Sequence, residues 1–145
     1  LKLWSVQRAR AVMTDVIGLS DICLPSYDDV VAITGLRDPD ALVDHCLRLG
    51  AKTVALKMGE QGAIVATASE RHRIAPARCQ PVDATGAGDA FGCGLVHALA
   101  RGEPLTQALR FANACGAHVA SRAGVFANLP RPGELAALLD DASPA

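Results

Sequence analysis

The stretch VDATGAGDAF, residues 82–91, sets two carboxylates, Asp83 and Asp89, on either side of Thr85-Gly86-Ala87-Gly88, a run with almost no side-chain bulk. Small residues let a backbone come close to another group, and an acid just beyond them is a candidate base. If the run opens a helix, its first backbone N–H groups lack intrahelical partners and the helix dipole places about half a positive charge there. A phosphate or a developing oxyanion fits such an end, because at Gly86 and Gly88 no Cβ stands in the way. Asp89, in the first turn, is then within reach of a substrate hydroxyl whose proton it accepts while the backbone holds a phosphoryl group. Loop and acid together read as phosphoryl transfer. A favourable first-turn acid on an ordinary tight glycine turn accounts for the same residues about equally well. Gly92 and Gly94 tilt the balance, since each costs about 1 kcal/mol against Ala inside a helix and so implies close approach of another backbone or a ligand.

GAGDAFG also imitates a dinucleotide-binding fingerprint, which makes an NAD-binding Rossmann domain the competing reading. That motif follows a buried strand, and its helix leads to a second strand ending in an acid. Here CQPVDAT is a weak strand, and a second helix comes next. A P-loop is excluded because no GxxxxGK[ST] occurs.

The elements that must position this loop are legible from their punctuation. Ser5 caps a helix over VQRARAVMTDVIGL, and DICLP is a short strand ended by Pro25. Residues 27–34 form a short helix stopped by Gly35, and DPDALVDHCLRLG is a helix with Asp38 as cap, Pro39 in its first turn and Gly50 as stop. KTVALKM is a strand; GEQG turns into a second strand, GAIVATA, and RHRIAPA is a third. From Gly86 the pattern is helical, first to about Gly102, then after Pro104 along Leu105, Leu109, Ala112, Gly116, Val119 and Ala123, one apolar face. PRPGELAALLDD is a last helix, and ASPA a frayed end. Strand, helix, strand and hairpin imply an α/β sheet with an antiparallel edge.

Composition agrees with that class. The 145 residues suffice for one domain that buries about 68–70% of the surface of its unfolded chain. Half of them are hydrophobic, but with one Trp, one Tyr and three Phe the core is built from Ala, Val, Leu and Ile. A net charge of −1 leaves no footprint for nucleic acid or an anionic membrane, so a small polar ligand is the default partner. No run approaches the roughly 18 apolar residues of a membrane span, and the first residues are unlike a signal peptide, which gives a cytoplasmic expectation. Five cysteines without a CxxC pattern read as buried thiols, and four scattered histidines as surface or core-edge residues. With no initiator Met, and an opening that resembles mid-fold sequence, the chain is expected to be a fragment.

DATGAGDAF resembles the second signature of the ribokinase-like, or PfkB, family of carbohydrate kinases. KMGEQG (residues 57–62), FANACGA (111–117) and LPRP (129–132) follow in the family's order. LKLW and DICLPSYDDVVAITG most resemble the 2-keto-3-deoxygluconate kinase branch. The resemblance implies a three-layer α/β/α ribokinase-like fold with an incomplete sheet, residues 1–145 being the C-terminal ATP-binding and catalytic part. The N-terminal part, with its sugar contacts and lid, is expected to be absent. It implies ATP-dependent phosphorylation of a sugar or sugar acid, with a fructokinase or ribokinase-type enzyme as one alternative and a non-catalytic nucleotide-binding module as another. Asp89 is then the catalytic base, and Gly86, Ala87 and Gly88 form the anion hole. Lys57, Gly59 and Gly62 lie beside the nucleotide and Asn113 on the helix flanking adenine; an exposed Lys, a hairpin turn and a polar edge residue are their plainer readings. The family's Asn-x-x-Glu motif near Mg2+ is replaced by Ser26-Tyr27-Asp28-Asp29, which leaves Asp29 to act on the cation. Asp83 and Thr85 help hold a monovalent cation such as K+ in some relatives, or Asp83 fixes the turn through its own backbone bonds. The expected partners are the sugar and ATP, with homo-oligomerisation of the parent enzyme a further expectation.

Overall fold

The computed structural model describes residues 4–131 and 133–140, without the side chain of Asp140. Leu1 to Leu3, Pro132 of LPRP and the tail from Asp141 onward lie outside the described residues. Contacts gather the chain into two compact units, one made of residues up to Met58 with Ile64–Arg71, the other of Gly59–Ala63 with residues from His72 onward.

In the first unit, α1 (Val6–Gly18) is capped by Ser5, whose Oγ accepts the N–H of Arg8 at 3.3 Å. Strand β1 (Ile22–Cys23) leads to α2 (Tyr27–Thr34), which Gly35 ends at φ 79°. Helix α3 (Pro39–Leu49) begins where Asp38 accepts the N–H of Ala41 at 3.0 Å, with proline at its start as anticipated. β2 (Thr53–Lys57) pairs with β1 in parallel, Ile22 opposite Thr53 and Cys23 opposite Val54. Such a pair needs a crossover, and α2 and α3 supply it. Leu42, Val43 and Cys46 of α3 pack with Val54 and Leu56 of β2, Ile17 of α1 and Ile64 in a fully buried cluster. At the rim, Arg71 ties the unit together by donating to Asp40 at 2.9 Å and to Asp44.

The strands run in the order β1-β2-β3-β4, with β3 (Ala63–Ala66) and β4 (Arg71–Ile74) completing the sheet. The 3-10 turn Gly59–Gln61 between β2 and β3 is too short for a parallel crossover, so this edge is made of hairpins. Every residue of β3 is buried, which is why its sequence runs continuously apolar instead of alternating.

In the second unit, α4 (Ala87–Ala100) and α5 (Leu105–Ala120) pack along their lengths, with α6 (Ala136–Asp140) against α5. A Cβ on Gly94 would stand 2.9 Å from Cys115 Sγ and 3.2 Å from Ala112 Cα, so the helices meet closer than any side chain at 94 allows. The need for close approach read from this glycine is met by a neighbouring helix. Ala90, Ala114, Cys115, Val119 and Leu135 form the local core, with Phe111, Leu138 and Leu139 packed around it.

Four expectations are corrected. Helix α5 ends at Ala120, so Ala123 is exposed and the buried face carries Ala108, Cys115 and His118 instead. The helix stops there because the Ser121 hydroxyl and the Arg122 guanidinium both donate to the His118 carbonyl, at 2.8 and 2.9 Å. His118 is itself buried, at 2% exposure, beside Glu134 Oε2 at 3.9 Å. Among the thiols, Cys46 and Cys115 are buried, Cys23 and Cys79 are half-buried, and Cys93 is exposed. The last helix is shorter than PRPGELAALLDD, since Glu134 turns back to accept the N–H of Arg131 at 2.6 Å and Gly133 takes φ 89° before α6 begins. No helix among the described residues is long and apolar enough to cross a membrane.

Candidate functional site

The glycine loop enters α4 through Gly86, which takes φ 79° as its N-cap, a left-handed conformation that side-chain-bearing residues rarely adopt. A Cβ there would also stand 2.5 Å from Cγ1 of Val125. Both facts make glycine obligatory at this point of entry. Ahead of it, the N–H groups of Val82 and Asp83 donate to the Ala120 carbonyl at 2.8 and 3.1 Å, which fastens the loop to the end of α5.

Asp83 closes the turn. Its Oδ1 accepts the N–H of Thr85 at 2.9 Å, and its Oδ2 faces the N–H of Gly124 at 3.5 Å. Hydrogen bonds from the Thr85 side chain first, then from the backbone of Thr85 and Gly124, hold this carboxyl below its usual value, and desolvation opposes them. The structure therefore gives Asp83 the turn-fixing bonds anticipated for it, with Thr85 as its main partner.

Along residues 86–89, Ala87 donates its N–H to the Ala84 carbonyl at 3.1 Å. The N–H groups of Gly86, Gly88 and Asp89 make no such bond among the described residues. Three unpaired donors at the start of a fourteen-residue helix are what an anion requires there. The Ala87 carbonyl points back at α5, where a Cβ on Gly116 would stand 3.2 Å from it. Gly88 and Asp89 are exposed, and the Asp89 carboxylate has no hydrogen bond or ion pair among the described residues. Donors and a free carboxylate thus lie side by side on the solvent-facing first turn. This arrangement suits transfer of a phosphoryl group to a hydroxyl.

Also in the second unit, Gly59 has φ 55° in the 3-10 turn and Gly62 has φ 82°. A Cβ on Gly62 would stand 1.9 Å from the Ile74 carbonyl oxygen, so the turn passes directly over the end of β4. Asn113 of α5 donates from Nδ2 to the Ala75 carbonyl at 2.9 Å, which ties the segment after β4 to the helix. In the first unit, Lys57 ends β2, half-buried, its N–H given to the Pro25 carbonyl at 2.9 Å. Asp29 is exposed in the first turn of α2, where the N-cap Ser26 makes no side-chain bond. Among the described residues no three of His, Cys, Asp and Glu gather to hold a metal. Gly124 and Val125, which complete the loop's surroundings, escaped the sequence reading; the only signal was a glycine shortly after a long apolar helix.

Comparison with known proteins finds relatives over most of this chain. The family description "pfkB family carbohydrate kinase" matches residues 1–132. The chain is 31% identical over 139 residues to the 2-dehydro-3-deoxygluconokinase of Bacillus subtilis, covering 94% of this chain and 43% of that protein. It is 36% identical over 121 residues to the ATP-dependent 6-phosphofructokinase of Thermoanaerobacterium thermosaccharolyticum, covering 83% and 38%. Among solved structures, the fructokinase of Vibrio cholerae in its fructose-, ADP- and calcium-bound form superposes with a TM-score of 0.84 at 28% identity, over 95% of this chain and 47% of that one. The chain spans less than half the length of each of these proteins. The Rossmann reading falls, as the helix-after-helix order following the loop already required, and the fold is the ribokinase-like α/β fold with an incomplete sheet. Matched by the family description over most of its length, the chain belongs to the pfkB family of carbohydrate kinases.

Proposed function

We propose that this chain carries the nucleotide-binding and catalytic part of an ATP-dependent sugar kinase, with Asp89 as the general base. The observation that carries this reading is the exposed, unpaired Asp89 carboxylate next to the unpaired N–H groups of Gly86 and Gly88. Asp89 takes the proton of the acceptor hydroxyl as that oxygen attacks the γ-phosphorus of ATP. The N–H groups of the loop meet the negative charge on the transferring phosphoryl oxygens, preorganised by the bonds that fasten the loop to Ala120 and Gly124. Without such donors, that charge loses preorganised stabilisation from the protein backbone.

Gly59, Gly62, Thr85 and Asn113, all in the second unit, are the residues proposed to line the nucleotide. A Mg2+ ion on the phosphates would need only one or two protein carboxylates, and the exposed Asp29 of the first unit is a carboxylate of that kind. Asp83, held in its charged form and flanked by loop backbone, is proposed to serve a monovalent cation such as K+ together with Thr85. The acceptor proposed is 2-keto-3-deoxygluconate, supported by the DICLPSYDDVVAITG resemblance and by the Bacillus subtilis relative. Fructose is the second reading, favoured by the likeness to the Vibrio cholerae structure. Most of the sugar contacts and the lid are proposed to reside in sequence outside these residues. Phosphorylation assays of the full-length parent against a panel of sugars and sugar acids test this. A clear preference for the keto-deoxy acid supports the first reading, preference for fructose selects the second, and ATP-independent behaviour contradicts both.

A further inference from the structure

At the end of α4 remote from the glycine loop, a cavity of about 380 Å3 opens among residues of α4, α5 and α6. That volume falls within the roughly 300–1,000 Å3 of small-molecule sites. Phe111 and Leu139 supply apolar wall, and the His97 ring lies 5.9 Å from the Phe111 ring at an interplanar angle of 33°. Arg101, Arg110 and Glu103 line the same space. Arg110 Nη2 donates to the Leu139 carbonyl at 2.9 Å, which anchors one arm of the guanidinium and leaves its other N–H groups uncommitted among the described residues. The side chains of Arg101 and Glu103 have no hydrogen bond or ion pair among the described residues. Among the described lining residues, these three charged groups leave one positive charge in excess, beside an aromatic surface.

We infer that this cavity binds a small organic monoanion, a carboxylate carried on a flat apolar body. A guanidinium presents paired N–H donors that match a carboxylate, and Arg110 is already held in one orientation. Phe111 offers its ring to the body of the ligand, where a free inorganic anion would gain nothing. Glu103 selects against a second negative charge. At about 1.5 Å of rise per residue, Arg101 lies roughly 20 Å along the helix from Gly86, so the site is separate from the phosphoryl chemistry and does not rest on the proposed function.

The test is calorimetric titration of the full chain with benzoate, and with benzamide as its neutral isostere. Saturable benzoate binding is expected, with no measurable benzamide binding and no change on adding saturating ATP. The Arg101 side chain is exposed and bonds to nothing among the described residues, so Arg101→Gln is expected to leave the fold intact, as circular dichroism checks, and to weaken benzoate about tenfold. Glu103→Gln is expected to tighten it. Equal binding of benzamide, indifference to Arg101→Gln in the folded variant, or displacement by ATP would each overturn the inference.

Discussion

A side-chain carbon on Gly86 would stand 2.5 Å from Cγ1 of Val125, at a residue whose φ of 79° already lies in the left-handed region. The loop entering α4 and the segment after α5 are fitted closely to one another at this position, beside the Asp83–Gly124 contact. Gly86→Ala is therefore expected to lose about 1–3 kcal/mol of stability through backbone strain and crowding, measured by denaturant unfolding. Gly88 is helical and exposed, so Gly88→Ala is expected to change stability by less than about 1 kcal/mol. In the full-length enzyme, however, Gly88→Val should lower phosphoryl transfer by crowding the donors. Stability falling in step with activity at Gly88 would make the turn purely structural.

Asp83 links loop stability to pH. Its carboxyl is held below the ordinary 3.8 by the bonds from Thr85 and Gly124. A depressed value means that the folded chain gains stability from this group above the unfolded pKa, and loses that gain as pH falls through the lowered folded value. Asp83→Asn removes the linkage. The stability gap between wild type and variant is expected to be widest near neutral pH and to close between about pH 5 and pH 2. A gap that stays constant across that range would contradict the assignment.

At Gly94 α4 lies close against α5, with Cys115 Sγ at 2.9 Å from the position a Cβ would take. Gly94→Ala is expected to destabilise by about 1–3 kcal/mol through overpacking. Cys115→Ala in the same chain should recover part of the loss, because it removes the crowding sulfur. No recovery in the double variant would point to the Ala112 backbone as the limiting contact.

Local chemistry made most of the elements legible: Ser5, Asp38, Pro39, Gly35 and Gly50 mark helix ends by capping and φ preferences that act within a few residues. The helix opening at Gly86 and its exposed acid were legible for the same reason. What escaped was fixed by contacts distant in sequence. The end of α5 is set by Ser121 and Arg122 returning to the His118 carbonyl, and the burial of His118 by the turn at Glu134, neither of which alters the apolar periodicity. The fit of Gly124 and Val125 to the loop joins residues some forty positions apart, of which one carries no side chain. Periodicity alone could not show it.

Asn113 spends its amide on the Ala75 carbonyl at 2.9 Å. Asn113→Ala is expected to cost about 0.5–1.5 kcal/mol, read from denaturant midpoints. If the residue also flanks adenine, the KM for ATP in the full-length enzyme rises as well. A stability loss with an unchanged KM would leave Asn113 as a fastening for the segment after β4.

The proposed general base is the exposed carboxylate of Asp89, which bonds to nothing among the described residues and whose structural part is limited to the first turn of α4. The most direct measurement is kcat, ATP affinity and melting temperature for Asp89→Asn in the full-length enzyme. The expected result is a loss of about 10²–10⁴-fold in kcat with ATP affinity and melting temperature unchanged, the signature of a missing general base. Turnover close to wild type would contradict the role of Asp89 as the general base.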